Sequence, residues 1–185
     1  MKSKNRIIIP CRFAYMSCWA PSSNYNSKKY SLVALVSKKD SETIELIQKT
    51  IESVMNESAE KWGGVIPPSI RLPFHDGDVE KPDNPIFRKN YYLNAKSKNP
   101  PQIVDEMVNP IVNREEVYAG CYGNVSLVFY PYNVGGNKGI GVALGNIQKT
   151  KDGPFLNGRV DAKDEFVPVT EIDDNEDDIF TDNEE

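Results

Sequence analysis

Polar and apolar residues alternate along several short segments of the chain, which is the pattern of β-strands with one face buried. The first two segments are residues 6–19 and 30–37, and the turn-forming sequence PSSNYNSKK separates them. Further strands are predicted at residues 88–98, 119–132 and 140–150. A small, mostly antiparallel barrel or sheet is therefore the expected architecture.

One segment, residues 40–62, has the spacing of an amphipathic helix. Asp40 or Ser41 can cap its start, and Gly63-Gly64 ends it. The apolar residues that recur at helical spacing are Ile44, Ile47, Ile51, Val54, Met55 and Trp62. We expect this stripe to pack on the sheet, and a proline-rich long loop to follow it over residues 65–90.

Two of the predicted strands carry basic and aromatic residues on one face. Alternation places the following residues of RKNYYLNAKSK on that face: Arg88, Asn90, Tyr92, Asn94, Lys96 and Lys98. The same rule separates Tyr122, Asn124, Ser126 and Tyr130 from the apolar Cys121, Val125, Leu127 and Phe129. Rings that stack on bases and cations that follow phosphates are typical of proteins that bind single-stranded nucleic acid. An ordinary solvated sheet face fits these two strands about equally well.

The charge of the chain is unevenly distributed. It has 22 basic and 27 acidic residues, a net charge of −5, but nine of the acids lie in residues 171–185. Residues 1–170 therefore carry a net charge of +4, which keeps nucleic acid open as a partner. The nine carboxylates have no basic neighbour within the segment, so we expect residues 171–185 to form a disordered acidic tail.

Two other motifs invite a chemical interpretation. VGGNKGIG lacks the spacing of a phosphate-binding loop, so a glycine-rich hairpin turn is favoured, with Lys138 at its tip. The turn His75 to Asp78 groups one histidine with two carboxylates, and a metal-dependent nuclease or phosphotransfer enzyme is the alternative function that it allows. We expect the turn to be structural, because the chain has one histidine and few other candidates for catalysis.

The remaining composition indicates a protein that stays where it is made. Cys11, Cys18 and Cys121 lack disulfide or zinc spacing and are expected to be buried, reduced thiols. No apolar run approaches the ~20 residues of a membrane-spanning helix. The apolar stretch near the start is too short for a signal peptide.

Several motifs in order resemble those of phage single-stranded DNA-binding proteins with an OB-fold. They are LPFHDGD at 72–78, YYLNAKSKNPPQIVD at 91–105, YAGCYGNVSLVFYPY at 118–132 and GGNKGIGVALGNIQKTKDG at 135–153. The resemblance implies a five-stranded barrel with one helix and long loops, sequence-tolerant binding of single strands, and an acidic tail that contacts replication proteins. We also expect no enzymatic activity and a place in the cytoplasm of the host cell.

These observations together give a specific prediction. Residues 1–170 form one OB-fold-like domain that binds and protects single-stranded DNA during phage replication and recombination, without a cofactor. The predicted DNA-binding residues are Arg88, Tyr92, Asn94, Lys96, Lys98, Tyr122, Tyr130, Lys138 and Lys149. The tail would hold a polymerase, a primase or helicase, or a recombinase through Asp177, Asp178, Ile179 and Phe180. A replication adaptor without a DNA groove is a further alternative function. The sequence leaves open whether the protein forms a homodimer.

Overall fold

Seven β-strands form one continuous sheet in the computed structural model, which describes residues 4–24, 27–156, 158 and 162–168. The strands are β1 (Arg6–Asn24), β2 (Ser27–Ser37), β3 (Phe74–Asp76), β4 (Asn90–Ser97), β5 (Ile103–Val104), β6 (Tyr122–Val134) and β7 (Asn137–Lys151). The α-helices are α1 (Ser41–Glu57), α2 (Gly77–Glu80) and α3 (Ala162–Glu165), and 3-10 turns lie at Ala59–Trp62, Pro85–Phe87 and Arg114–Glu116. The tail, including Asp177, Asp178, Ile179 and Phe180, lies outside the described residues.

Five of the strands close into a barrel in the order β4-β2-β1-β6-β7. Neighbouring strands pair antiparallel, except that β4 and β7 meet in parallel at Lys96 and Ala143 and so close the barrel. β3 extends the sheet beside β4, and β5 pairs with the end of β7. This mainly β, OB-fold-like barrel confirms the predicted fold class.

The first hairpin is longer than the sequence predicts. Residues 21–29 are expected to be a turn, but β1 and β2 remain paired at Ser22–Lys29 and out to Asn24–Ser27. The serines, asparagines and lysines of this segment favour turns locally, whereas the ladder that starts in the barrel continues through them. Local composition therefore located the turn but overestimated its length.

Helix α1 packs on the barrel as its apolar stripe predicts. Asp40 caps it by accepting a hydrogen bond from the backbone N–H of Thr43 at 3.1 Å. Ile47, Ile51 and Val54 are buried in the main core, and Trp62 donates from Nε1 to the carbonyl of Tyr132 at 3.0 Å. The helix thus packs on the core, and the 3-10 turn that follows it is attached to β6 through Trp62.

The β6–β7 hairpin carries the alternation that builds the functional surface. Val125, Leu127 and Phe129 of β6 point into the core, as predicted, together with Ile140, Val142 and Leu144 of β7. The residues between and beside the latter three on β7 are small: Gly139, Gly141, Ala143 and Gly145. Gly135 and Gly136 form the turn with φ angles of 56° and 82°, which confirms a hairpin rather than a phosphate-binding loop.

The three cysteines are buried in the barrel, as the sequence predicts. Cys11, Cys18 and Cys121 are buried free thiols, and burial raises the pKa of all three. Within the part of the chain that the structure describes, no helix is both long and apolar enough to cross a bilayer.

Candidate nucleic-acid interface

A groove of about 780 Å³ runs along the outside of the barrel, at the seam where β4 meets β7. β4 and β7 form its walls, and β2, β6 and the segment before β3 complete it. Its polar and aromatic lining residues are Lys29, Arg71, His75, Asn94, Lys96, Ser97, Lys98, Tyr130 and Tyr132. Elements far apart in sequence therefore meet on one surface.

The charged side chains that line this groove are all positive. Lys29, Arg71, Lys96 and Lys98 contribute four cations, and none of the described residues that line it is acidic. Positive charges collected in a concave surface raise the local concentration of anions. The groove is therefore suited to a phosphate backbone.

Two tyrosine rings lie in the groove because glycines on the next strand leave room for them. Tyr130 pairs with Gly141 and Tyr132 pairs with Gly139 across the β6–β7 hairpin. A Cβ atom at either glycine would come within 3.0 Å of the opposing ring. Each ring therefore lies close against the backbone of β7, and Tyr130 keeps 44% of its surface exposed. A base can stack on the side of such a ring that faces the groove.

Four of the nine predicted DNA-binding residues line this groove: Asn94, Lys96, Lys98 and Tyr130. The alternation predicted for β4 holds, since Asn94 and Lys96 are exposed while Leu93 and Ala95 are buried. The positions of the other five residues differ from the expectation.

Tyr92 lies on the predicted face of β4, but the expectation that it offers a ring to DNA is wrong. It is 4% exposed, because β3 and Phe87 cover it. Its ring stacks on His75 at 5.0 Å and meets the edge of Phe87 at 4.7 Å. Burial, with the nearby Glu80 carboxylate, raises the pKa of the Tyr92 hydroxyl. The strand pattern predicted correctly the face of β4 on which Tyr92 lies. It carries no information about the segments that cover that face.

Tyr122 and Lys149 occupy the opposite end of the hairpin from Tyr130. The two tyrosines are eight positions apart on β6, about 26 Å at ~3.3 Å per residue. Arg12 and Lys151 lie 5.2 Å and 5.9 Å from the Tyr122 ring. The end of the hairpin at Tyr122 is therefore a separate surface.

Lys149 is engaged locally and does not flank Tyr130 as predicted. Its ammonium pairs with Asp152 at 2.7 Å, and its side chain is 16% exposed. It lines a cleft of about 720 Å³ whose carboxylates come from Glu115, Glu116, Asp152 and Asp164. Those acids make the cleft unsuited to a phosphate backbone.

Lys138 and Arg88 both lie outside the groove. The Lys138 ammonium donates to the carbonyl of Trp62 at 3.4 Å, and its own carbonyl accepts from the N–H of Arg71. Arg88 is exposed just before β4, at the end away from Lys98. Neither lines the groove, although Lys138 is adjacent in sequence to Gly139 beneath Tyr132.

Two of the groove's cations and one of its two tyrosines were missed by the sequence analysis. Tyr132 lies two positions after Tyr130 on the same strand face, so the alternation rule could have identified it. Lys29 was assigned to a turn that is in fact strand. Arg71 is in an irregular segment that bridges to Gly139 of β7, and no local pattern predicts that long-range pairing.

The turn His75 to Asp78 is a structural element, as expected. Lys38 pairs with Asp76 at 2.6 Å and with Asp78 at 2.8 Å, and these contacts lower the pKa of both carboxyls. His75 Nδ1 lies 2.9 Å from Glu80 Oε1. Among the described residues, no group of three or more His, Cys, Asp or Glu side chains could hold a metal ion. The carboxylates that a nuclease would need for a metal are thus occupied by a lysine.

Gly77 is required in this turn for space and not for an unusual backbone angle. It begins α2, and a Cβ atom there would clash with the carbonyl oxygens of Phe87 and Asn90. The close approach of the segment that leads into β4 therefore excludes a side chain at Gly77.

A closed five-stranded barrel with a basic, aromatic groove is the architecture of an oligonucleotide-binding barrel. Comparison with known proteins agrees. The family model described as "Enterobacter phage Enc34, ssDNA-binding protein" matches residues 4–180, and the chain belongs to this family of phage proteins. The family is one of binding proteins and not of enzymes.

Individual relatives are similar over most of their length. "Putative protein p50" of Acyrthosiphon pisum secondary endosymbiont phage 1 is 30% identical over 168 residues, which cover 84% of this chain and 88% of the relative. The single-stranded DNA-binding protein of bacteriophage Enc34 has a solved structure that is 25% identical, with a TM-score of 0.68 over 89% of this chain and 96% of the other. Gp2.5 of bacteriophage T7, a single-stranded DNA-binding protein, shares the fold at 16% identity, with a TM-score of 0.57 over 90% of this chain and 98% of the other.

The ion pairs of Lys38 predict a pH-dependent contribution to stability. Because the pKa of Asp76 and Asp78 is lowered below the ordinary value of 3.8, the contribution is present above that pH and is lost as the pH falls through the lowered values. We expect Lys38→Met to reduce the melting temperature at pH 7, with the difference from the parent shrinking below pH 4. Thermal melts of both proteins from pH 7 to pH 2 measure this. Lys39→Met is the control, and a difference that stays constant over the whole range would contradict the assignment.

Proposed function

We propose that this protein binds single-stranded DNA without sequence preference in the groove between β4 and β7, and protects it during phage DNA replication and recombination. The observation that carries the proposal is the groove itself, where four cations and two glycine-backed tyrosines meet with no acidic lining residue among those described. The homologous Enc34 protein has also been solved in complex with single-stranded DNA.

The chemistry of the groove accounts for tolerance of sequence. Stacking uses the flat face that every base possesses, and lysine and arginine neutralise phosphates that carry no sequence information. Asn94 is an amide at the groove, able to donate and accept hydrogen bonds. Binding therefore depends mainly on the strand being single, so that its bases are free to stack.

The acidic tail is proposed to regulate binding and to recruit other proteins. Tethered to a body of net charge +4, residues 171–185 act at high effective concentration and compete with DNA phosphates for the groove. When DNA displaces the tail, Ile179 and Phe180 become available as an apolar anchor for a replication protein in the host cytoplasm, and Asp177 and Asp178 steer the encounter.

Tyr130 provides the first test. Tyr130→Ala removes a ring worth about 1–3 kcal/mol per stacked base, so we expect affinity for an oligonucleotide to fall at least several-fold. Tyr130→Phe keeps the ring and should bind like the parent. Fluorescence anisotropy measures the affinities, and thermal melts check that both variants fold. Equal affinities for Tyr130→Ala and the parent would remove this ring from the DNA path.

Lys96 provides a test of the phosphate contacts. The logarithm of affinity should fall linearly with the logarithm of salt concentration, with a slope of about −0.7 for each phosphate contact on a single strand. Lys96→Ala should make the slope shallower by less than one unit and weaken all oligonucleotide sequences alike. Lys39→Ala is a matched control on an exposed turn away from the groove. A loss confined to one sequence would contradict backbone recognition.

Deletion of residues 171–185 tests the role of the tail. The truncated protein should bind DNA more tightly, most at low salt where charges are least screened, and should lose its replication partner. Phe180→Ala in the full chain should lose the partner and keep the parent's DNA affinity. Unchanged DNA affinity of the truncated protein at low salt would refute the competition, and unchanged partner binding by Phe180→Ala would refute the anchor.

A further inference from the structure

A second, smaller pocket adjoins the groove and has a different character. Its volume is about 360 Å³, within the range of about 300–1,000 Å³ usual for small-ligand sites. Tyr15, Val33, Phe87 and Tyr92 supply apolar and aromatic walls, and Lys81 and Asn84 supply polar groups. His75 and Asn94 line both the pocket and the groove, so the two adjoin each other.

Tyr15 is placed at this pocket by an irregularity in β1. Ala14 pairs with Val33 and Ser17 with Ser31, so Tyr15 and Met16 together oppose the single residue Leu32. A bulge of this kind redirects a side chain, and Tyr15 has a φ angle of 44°, which is unfavourable for a residue with an aromatic side chain. Strained residues of this kind persist where surrounding contacts hold them, and they are concentrated at functional sites.

The contacts around Tyr15 hold its ring in place while leaving half of it exposed. The ring stacks on Phe87 with centroids 5.8 Å apart and planes inclined by 14°. Its hydroxyl accepts a hydrogen bond from Asn84 Nδ2 at 2.8 Å. Phe87 and Tyr92 are almost fully buried beneath, in a small cluster separate from the main core, yet Tyr15 is 50% exposed. The Tyr15 ring is thus a rigid aromatic platform beside the pocket. Its side chain has little conformational freedom left to lose when a ligand binds.

We propose that this pocket takes one unstacked nucleobase of the strand bound in the groove, with Tyr15 as its stacking platform and the Asn94 amide as its hydrogen-bonding group. Lys81 at the rim then meets a neighbouring phosphate. This inference rests on the proposed DNA-binding function and extends it. One nucleotide is held individually, at the end of the bound strand that lies away from Tyr130. An amide both donates and accepts, so the pocket is compatible with any of the four bases.

The experiment uses the full chain and the shortest oligothymidylate that binds with full affinity, so that the strand has a single register. A series of these oligonucleotides carries one abasic site, moved one position at a time, and anisotropy gives the affinity of each. For the parent we expect one position near one end at which losing the base weakens binding at least five-fold, in addition to positions that report on Tyr130 and Tyr132. In Tyr15→Ala that position should become insensitive, while Tyr15→Phe should keep the parent's profile.

Controls separate failure of the pocket from failure of the groove. Tyr15→Asn removes the ring but suits a positive φ angle, so it serves as a second ringless variant if Tyr15→Ala is poorly folded. If Lys96→Ala and Tyr130→Ala weaken binding but both ringless variants keep the parent's abasic profile, the pocket proposal is wrong and the groove stands. If no variant in either region changes affinity, the proposed function fails as well. A parent profile without any sensitive position beyond those lost in Tyr130→Ala also overturns the pocket.

Discussion

The alternation of large and small residues along β7 is the constraint on which the functional surface depends. Ile140, Val142 and Leu144 fill the barrel, while glycine or alanine occupies each position between and beside them on the outer face. Because those outer positions have little or no side chain, Tyr130 and Tyr132 lie close against the β7 backbone and the groove keeps its depth. The same strand thus supplies a close-packed core on one side and space for a ligand on the other.

Closure of the barrel converts this local pattern into a site. A single parallel bridge between Lys96 and Ala143 brings β4 beside β7, and the bridge of Arg71 to Gly139 adds a cation from the long loop. Lysines of β2 and β4 and the lysine that follows β4 therefore lie in one groove with the tyrosines of β6. The ion pairs of Lys38 with Asp76 and Asp78 attach β3 and α2 over the same sheet, which buries Tyr92 and positions His75 between the groove and the smaller pocket.

The sequence predicted the parts of this surface that depend on strand alternation and missed those that depend on long-range contacts. Asn94, Lys96 and Tyr130 follow from the period of two, which fixes the face a residue occupies. The burial of Tyr92 and the enclosure of Lys149 do not follow, because the segment that covers Tyr92 and the Glu116 carbonyl that accepts from the Lys149 ammonium come from other parts of the chain. Tyr15 gave no signal at all, since a bulge is a property of two paired strands.

The proposed function depends above all on contact between single-stranded DNA and the glycine-backed tyrosines of the groove. The most direct measurement is photo-cross-linking of the full chain to an oligothymidylate that contains 5-iodouracil, followed by mass spectrometry of the linked peptides. We expect cross-links to Tyr130 or Tyr132 at 1:1 stoichiometry, reduced by unlabelled single strands and not by duplex. Cross-links confined to the cleft of Lys149 and Tyr118, with none in β6 beyond Phe129, would contradict it.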